Sequence, residues 1–248
     1  MYADLARWWP LLSPPEDYVA EAATIAGLLS TGVHEVRTVL ELGSGGGHNA
    51  VHLKAQFDMT LVDISPQMLE VSTRLNPECE HLHGDMRDLD LGRTFDAVLI
   101  HDAIDYMLTL DDITAVFTTA ASHLGAGGLL IVMPDQVAET FEPSTEHGGH
   151  DGTDGQGIRY LAWTHQLYSG EQQMVTDYVY ALRDADGELT TESERHHFGL
   201  FAETQWTDTL DAAGFDVTCL LEQADEDAPA RRIFLGVARQ ASPADVHH

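Results

Sequence analysis

Short, nearly continuous apolar runs recur through the first half of the chain, separated by stretches whose apolar residues fall three and four apart. The runs predict strands at residues 39–42, 59–62, 80–83, 95–101 and 129–133. An unbroken run such as FDAVLIH is what a parallel strand buried on both faces requires. Helices are predicted between them. One runs from Ser13 to about Leu29, with Ser13 as N-cap, Pro14 in its first turn, Glu16 three residues after the cap, and Val19, Ala22, Ile25 and Leu29 facing inward. Others span 67–75, started by Ser65-Pro66, and 112–124, followed by a glycine-rich turn at 125–128. The regular alternation breaks at Pro134. Residues 142–157 read as a mobile loop by composition. Three strand-like runs follow at 158–168, 174–183 and 188–201, divided by turn signals at Ser169-Gly170 and 184–187, as in antiparallel hairpins. A helix over 202–213 ends at Gly214 as its C-cap, and runs at 215–221 and 232–238 close the sheet. An aromatic arm carrying Tyr2, Trp8 and Trp9 precedes the first helix, either packed on the domain or laid over a site.

Composition narrows the possible partners. The 248 residues, 44% hydrophobic, are enough for one sizeable α/β domain with an insertion. Asp and Glu number 41 against 12 Lys and Arg, for a formal net charge of −29, and Lys54 is the sole lysine. A polyanion would be repelled, so nucleic acid is excluded as a partner. The acidic residues are spread along the whole chain, as on a solvated surface, and would also attract cationic substrates. Cys79 and Cys219 are the only cysteines; each sits in a strand-like context and reads as a buried thiol of a cytoplasmic protein. No basic segment followed by an apolar core opens the chain, and no apolar run approaches membrane-spanning length.

The chemistry is concentrated in VLELGSGGGHNAVH, residues 39–52, which reads as strand, glycine turn and helix. Glycines let the backbone approach a ligand with no Cβ in the way, and the helix start offers free N–H groups. A dinucleotide fingerprint beginning at Gly43 would place His48 in its last slot, where it would obstruct close helix–strand packing. The glycines fall instead at alternate positions, Gly43, Gly45 and Gly47, with Glu41 two residues ahead. This E-x-G-x-G-x-G pattern resembles motif I of the class I S-adenosylmethionine-dependent methyltransferases. Asp63, about 20 residues after the first glycine, is spaced to take both ribose hydroxyls. Gly84-Asp85-Met86 resembles the family's adenine-contacting segment. LGAGGLLIV (124–132) resembles its L-x-P-G-G-x-L pattern, with Ala126 in place of the proline.

A narrower resemblance covers most of the chain. The N-methyltransferases that dimethylate amino sugars in antibiotic biosynthesis are similar in their aromatic arm, in IVMPDQVAETF (131–141) at the crossing into the cap, in HHFGLF (196–201) and in RIFLGVAR (232–239). The resemblance implies a Rossmann-like, seven-stranded α/β sheet with an antiparallel β cap inserted after the fifth strand. The arm and cofactor core would occupy 1–133, the cap 134–201, the rest of the core 202–240, and a tail 241–248. The implied cofactor is S-adenosyl-L-methionine, held by Glu41, Gly43, Ser44, Gly45, Gly47, Asp63, Ile64, Met68, Asp85, Met86 and His101. The implied partner is a small-molecule acceptor, methylated at nitrogen, with no membrane involved and room left for a homodimer.

Topology places Asp102, Asp105 and Tyr106 at the carboxyl end of the fourth strand, near the reacting methyl group. Tyr106 could orient the acceptor, and the aspartates, with Glu139 nearby, could hold an ammonium group. Trp163, His165 and His196 of the cap could line the acceptor pocket. The catalytic set is therefore Tyr106, Asp105 and His196. His147 and His150 lack a third ligand at defined spacing, and no metal is expected. O-methylation of a carboxylate or hydroxyl, a nicotinamide-dependent oxidoreductase and a non-catalytic cofactor-binding module are the rival readings.

Overall fold

The structure is a computed structural model that describes residues 5–32, 34–168, 172–222 and 231–239. After a short helix α1 (Trp9–Leu12), helix α2 (Val19–Leu29) packs on a sheet begun by β1 (Thr38–Leu42). The chain continues through α3 (His48–Leu53), β2 (Asp58–Asp63), α4 (Pro66–Leu75), β3 (Glu80–His83), β4 (Phe95–Ile100), α5 (Leu110–Ser122) and β5 (Leu124–Val132). Strands β6 (Ser144–Gly148), β7 (Gly157–His165), β8 (Gln173–Arg183) and β9 (Leu189–Gly199) follow, then α6 (Glu203–Ala212), β10 (Phe215–Glu222) and β11 (Arg231–Ala238). The main sheet has the order β10-β11-β5-β4-β1-β2-β3. Its first five strands run parallel, and β11 lies antiparallel between β5 and β10. This is the seven-stranded α/β sheet that the sequence predicts.

The apolar runs of β1 and β4 are buried because successive side chains enter two different cores. Leu40, Val62 and Val98 pack with Phe117, Trp206 and Phe234 on one face, while Val39, Leu61 and Leu99 pack with Ile25, Leu29 and Leu53 on the other. The start of α2 departs from expectation. Ser13 Oγ bonds the Tyr18 hydroxyl at 2.7 Å rather than capping a helix, a 3-10 turn fills Pro15–Tyr18, and Val19 is 55% exposed.

The cap is a separate antiparallel sheet of four strands, β6-β7-β8-β9, one more than the sequence predicts. Its extra strand, β6, lies inside the stretch read as a loop and pairs with residues 160–164. Glycine and acid content conceal it because it is an exposed edge strand with little apolar surface to show. The following turn is tied down by Asp151, which takes Arg159 Nη2 at 2.7 Å and Arg183 Nη2 at 2.8 Å. Neither cysteine is buried: Cys79 is half-buried, and Cys219, on the outermost strand, is exposed. Tyr2 and the Ser169-Gly170 turn lie outside the described residues. Among the described residues no helix is long and apolar enough to cross a membrane.

Candidate active site

The glycine turn is pinned to the end of β2. The amides of Gly43 and Ser44 both donate to the Val62 carbonyl, at 2.8 and 2.9 Å. Gly43 has φ +77°, and a Cβ there would collide with Ala103 and Met86; only glycine satisfies both constraints. Asp63 then joins the turn to the next helix, accepting Gly45 N on one carboxylate oxygen and Ser65 N on the other, each at 2.8 Å. Burial pushes its pKa up, against the pull of these two amides. Ser65 caps α4 by accepting from Met68 N at 3.3 Å.

The carboxyl ends of the parallel strands open on a cavity of about 470 Å³, where open α/β sheets bind ligands. Glu41, Gly43, Ser44, Gly45, Asp63, Ile64, Met68, Asp85, Met86 and His101 all line it. Gly47 does not. With φ +74° it turns towards Ser72 and Asn76, and its carbonyl accepts from Asn76 Nδ2 at 2.9 Å, so it fits α3 closely to α4. Four buried polar atoms on the lining, Glu41 Oε2, Ser44 Oγ, His48 Nε2 and Asn49 Oδ1, have no hydrogen-bond partner among the described residues. Burying such groups is costly unless a ligand or water satisfies them. Burial also lifts the Glu41 carboxyl to about 8, despite the nearby positive charge of His101.

The aromatic arm closes one side. Trp9 Nε1 donates to His48 Nδ1 at 3.1 Å, and the Tyr18 ring stacks on the His48 ring with centroids 5.2 Å apart. Burial lowers His48 to about 4, so the ring is neutral. Because Trp9 can only donate, the ring proton belongs on Nε2, at the cavity wall.

One wall of the cavity is a charge network. His101 stands 2.8 Å from Glu21 Oε2 and 2.9 Å from Asp102 Oδ1. Burial alone would lower its pKa, but these two carboxylates outweigh burial and raise it to about 10. Arg231, at the start of β11, donates to Glu21 at 2.9 Å, to Asp102 and to the Met133 carbonyl at 2.9 Å, and lies 3.4 Å from Asp135. Asp135 is pushed up to about 7, first by burial and then by the charge of Asp102. Asp105 is buried under this layer and does not line the cavity. Its Oδ2 accepts from Asp135 N at 2.9 Å, and burial with the charges of Asp135 and Asp102 holds its pKa well above the carboxylate range.

Above these carboxylates, the Tyr106 hydroxyl lies 2.7 Å from His196 Nδ1, and His196 Nε2 lies 3.1 Å from Glu194 Oε2. Burial lowers the pKa of His196. A carboxylate can only accept, so Nε2 carries the proton, Nδ1 is the acceptor, and the Tyr106 hydroxyl donates to it. Phe198, 4.8 Å from the Tyr106 ring, and Tyr178 complete the aromatic wall.

Two groups of expected residues fall elsewhere. Trp163, 53% exposed, and His165 line no part of the cavity; in β7 the even-numbered positions face inward, and a side chain one residue out of phase faces away. Glu139 accepts from Glu203 N, at 3.0 and 3.1 Å, and so caps α6. His147 lies on β6, and His150 Nδ1 is 3.0 Å from the Leu11 carbonyl. Among the described residues, no group of three or more His, Cys, Asp or Glu is placed to hold a metal ion. Sequence reasoning missed Tyr178, Phe198, Asp135, Glu21 and Arg231. The aromatics at 178, 180, 196 and 198 do carry a period-two signal, whereas nothing local marks Arg231.

Residues 39–128 match the family described as "Methyltransferase domain". The dTDP-3-amino-3,4,6-trideoxy-alpha-D-glucopyranose N,N-dimethyltransferase of Streptomyces venezuelae is 28% identical over 225 residues, 90% of this chain and 92% of that protein. The dTDP-3-amino-3,6-dideoxy-alpha-D-glucopyranose N,N-dimethyltransferase of Streptomyces fradiae is 28% identical over 204 residues, 82% and 79% of the two chains. Among solved structures, the sugar N-methyltransferase KedS8 from Streptoalloteichus superposes with a TM-score of 0.79 at 27% identity, covering 91% of this chain and 89% of its own.

Proposed function

We propose that this chain, a class I S-adenosylmethionine-dependent methyltransferase of small-molecule amines, methylates an amine carried by a sugar. The cavity suits the cofactor. The bare turn at Gly43 admits close approach, and the unpartnered atoms of Glu41, Ser44, His48 and Asn49 offer the mixed donors and acceptors that an amino-acid end requires. Asp63 would hold the ribose hydroxyls, Asp85 and Met86 the adenine, and Ile64, Met68 and His101 the remaining walls. On this reading residues 1–133 and 202–240 serve the cofactor, and the cap, 134–201, serves the acceptor.

When bound, S-adenosylmethionine supplies a methyl carbon on a sulfonium, whose displacement leaves a neutral thioether. The chain's own residues must present a neutral nitrogen in line and keep water out. Tyr106 does the first: its oxygen, committed by His196 to donate the other way, accepts an N–H of the acceptor and fixes the direction of the nitrogen lone pair. Asp102 attracts the ammonium form, and Asp135, near 7, takes the proton that the nitrogen must lose. Asp105 and His196 act as positioning residues, Asp105 by holding the backbone of Asp135. The acidic surface is consistent with a small molecule rather than nucleic acid as partner, and two free thiols are consistent with the cytoplasm.

The observation that carries the reading is the Tyr106–His196–Glu194 chain directed at a cavity edged by carboxylates. Its test is labelled methyl transfer to a panel of amino sugars, simple amines, phenols and carboxylic acids. Amino sugars should be the preferred acceptors, and transfer confined to phenols or acids would overturn the assignment.

A further inference from the structure

We propose that the acceptor enters this site as a cationic amine with no phosphate attached, unlike the dTDP-linked sugars for which the two dimethyltransferase relatives are named. The proposal rests on the N-methylation reading and sharpens its substrate class. A nucleoside diphosphate brings at least two negative charges, and a site that accepts one must supply cations or a set of free amides. All twelve Lys and Arg residues of this chain lie within the described part, because none occurs at 1–4, 33, 169–171, 223–230 or 240–248. Only one of the twelve, Arg87, lines the cavity.

Arg87 is already committed. Its Nη2 lies 2.6 Å from Asp85 Oδ2, its Nε bonds the same carboxylate, and its Nη1 reaches Asp112 Oδ1 at 3.1 Å. Arg231, behind the wall, is held by Glu21, Asp102 and two backbone carbonyls. His101 is enclosed by Glu21 and Asp102. Among the described residues, each arginine and raised-pKa histidine near the site is therefore matched or outnumbered by carboxylates.

The carboxylates are not all needed by the cofactor. Glu41 and Asp63 belong to the glycine-turn side of the cavity. Asp102 shares its 3-10 turn with Tyr106, and Asp135 follows β5; their side chains remain 44% and 55% exposed, open to a ligand. Glu146 of the cap adds negative potential at Tyr178, together with Asp135 and Asp102. An ammonium group arriving beside Tyr106 meets opposite charge on several sides, and a diphosphate arriving there meets like charge. The class that fits is an amine on an uncharged scaffold: a free amino sugar, or an amino sugar already joined to a neutral aglycone. In a reaction sequence, methylation would then follow removal or transfer of the sugar from its nucleotide.

The test compares one amino sugar in two forms, as its methyl glycoside and as its dTDP derivative, in labelled methyl transfer, alongside calorimetric titration of dTDP alone into the protein saturated with S-adenosylhomocysteine. The methyl glycoside should have a kcat/KM on the order of 100-fold higher than the dTDP form. The titration should give no dTDP binding tighter than about 1 mM. Preference for the dTDP sugar, or dTDP binding at about 10 µM or tighter, would overturn the proposal while leaving N-methylation standing. If phenols or acids are the only acceptors, the N-methylation reading itself fails. The dTDP titration decides the phosphate question even where no sugar turns over.

Discussion

Replacing Tyr106 by Phe removes one oxygen from the acceptor side of the cavity and little else, since the ring keeps its contact with Phe198. The structure allows the loss to be sized. The hydroxyl donates to the neutral His196 Nδ1 at 2.7 Å, and the neutral ring is fixed in that tautomer by Glu194. On the proposed reading the oxygen also makes one hydrogen bond to the acceptor nitrogen, which carries partial positive charge as the N–C bond forms. A hydrogen bond to a charged group contributes about 1.5–3 kcal/mol, so kcat/KM should fall roughly 10- to 150-fold. Because the bond strengthens as charge develops, much of the fall should appear in kcat. S-adenosylhomocysteine affinity should be unchanged, because Tyr106 lies on the acceptor side. His196→Gln should give a smaller loss, since the phenol survives but is less firmly directed. The assay is initial rate against acceptor concentration at saturating cofactor, with calorimetry for the nucleoside. A Tyr106→Phe enzyme within twofold of wild type would refute the orienting role; equal losses of cofactor and acceptor binding would show a general disturbance of the cavity instead.

The cofactor side offers a cleaner binding experiment. S-adenosylhomocysteine at about 100 times its Kd should stabilise the protein by roughly 2.7 kcal/mol and raise Tm by several degrees, and Asp63→Ala should largely abolish that shift; a retained shift would remove Asp63 from the site. The charge network makes a prediction about pH. His101 has its pKa raised to about 10 in the folded protein, so its contribution is fully present below its unfolded value near 6.5 and is lost as pH rises through 10. Denaturant titrations should show wild type losing stability over that window, by roughly 5 kcal/mol at most, relative to His101→Gln. Parallel pH curves for the two proteins would contradict a protonated His101.

The glycine-turn side of the cavity was legible because its determinants are local. Gly43 must turn with positive φ under Ala103, and Asp63 must end the next strand to reach the amides of Gly45 and Ser65. Spacing along one βαβ unit therefore reports both. Gly47 shows the limit of such reasoning: its alternate position matched the pattern, yet its lack of a side chain serves the packing of α3 on α4. The helix start at Ser13 failed for a similar reason, since the hydroxyl found a phenol partner in Tyr18.

The cap side of the cavity depended on pairings that no local pattern encodes. In the cap, facing is decided by parity. Trp163 and His196 looked equally suited to a pocket, but β7 and β9 are each read in steps of two, and only the even positions turn inward. Had the hairpin register been known, Tyr178 and Phe198 would have been chosen and Trp163 rejected. Among the acids, the 3-10 turn Asp102–Tyr106 settles the matter. Asp102 remains at the cavity surface, while Asp105, three residues on, is turned under it against the amide of Asp135. Burial there raises the pKa of Asp105 well above the carboxylate range, and its side chain forms no part of the cavity lining. Its Oδ2 accepts from the Asp135 amide and so fixes the backbone that carries the Asp135 carboxyl at the cavity wall. The charge of His101, joined by that of Arg231 almost one hundred residues further along, lets Glu21 and Asp102 stay ionised side by side. The sequence shows these as scattered acids in an acidic chain. The fold gathers them at one wall of the cavity, Glu21 and Asp102 paired with His101 and Arg231, and Asp105 bound to the amide of Asp135, a grouping that their spacing along the chain does not show.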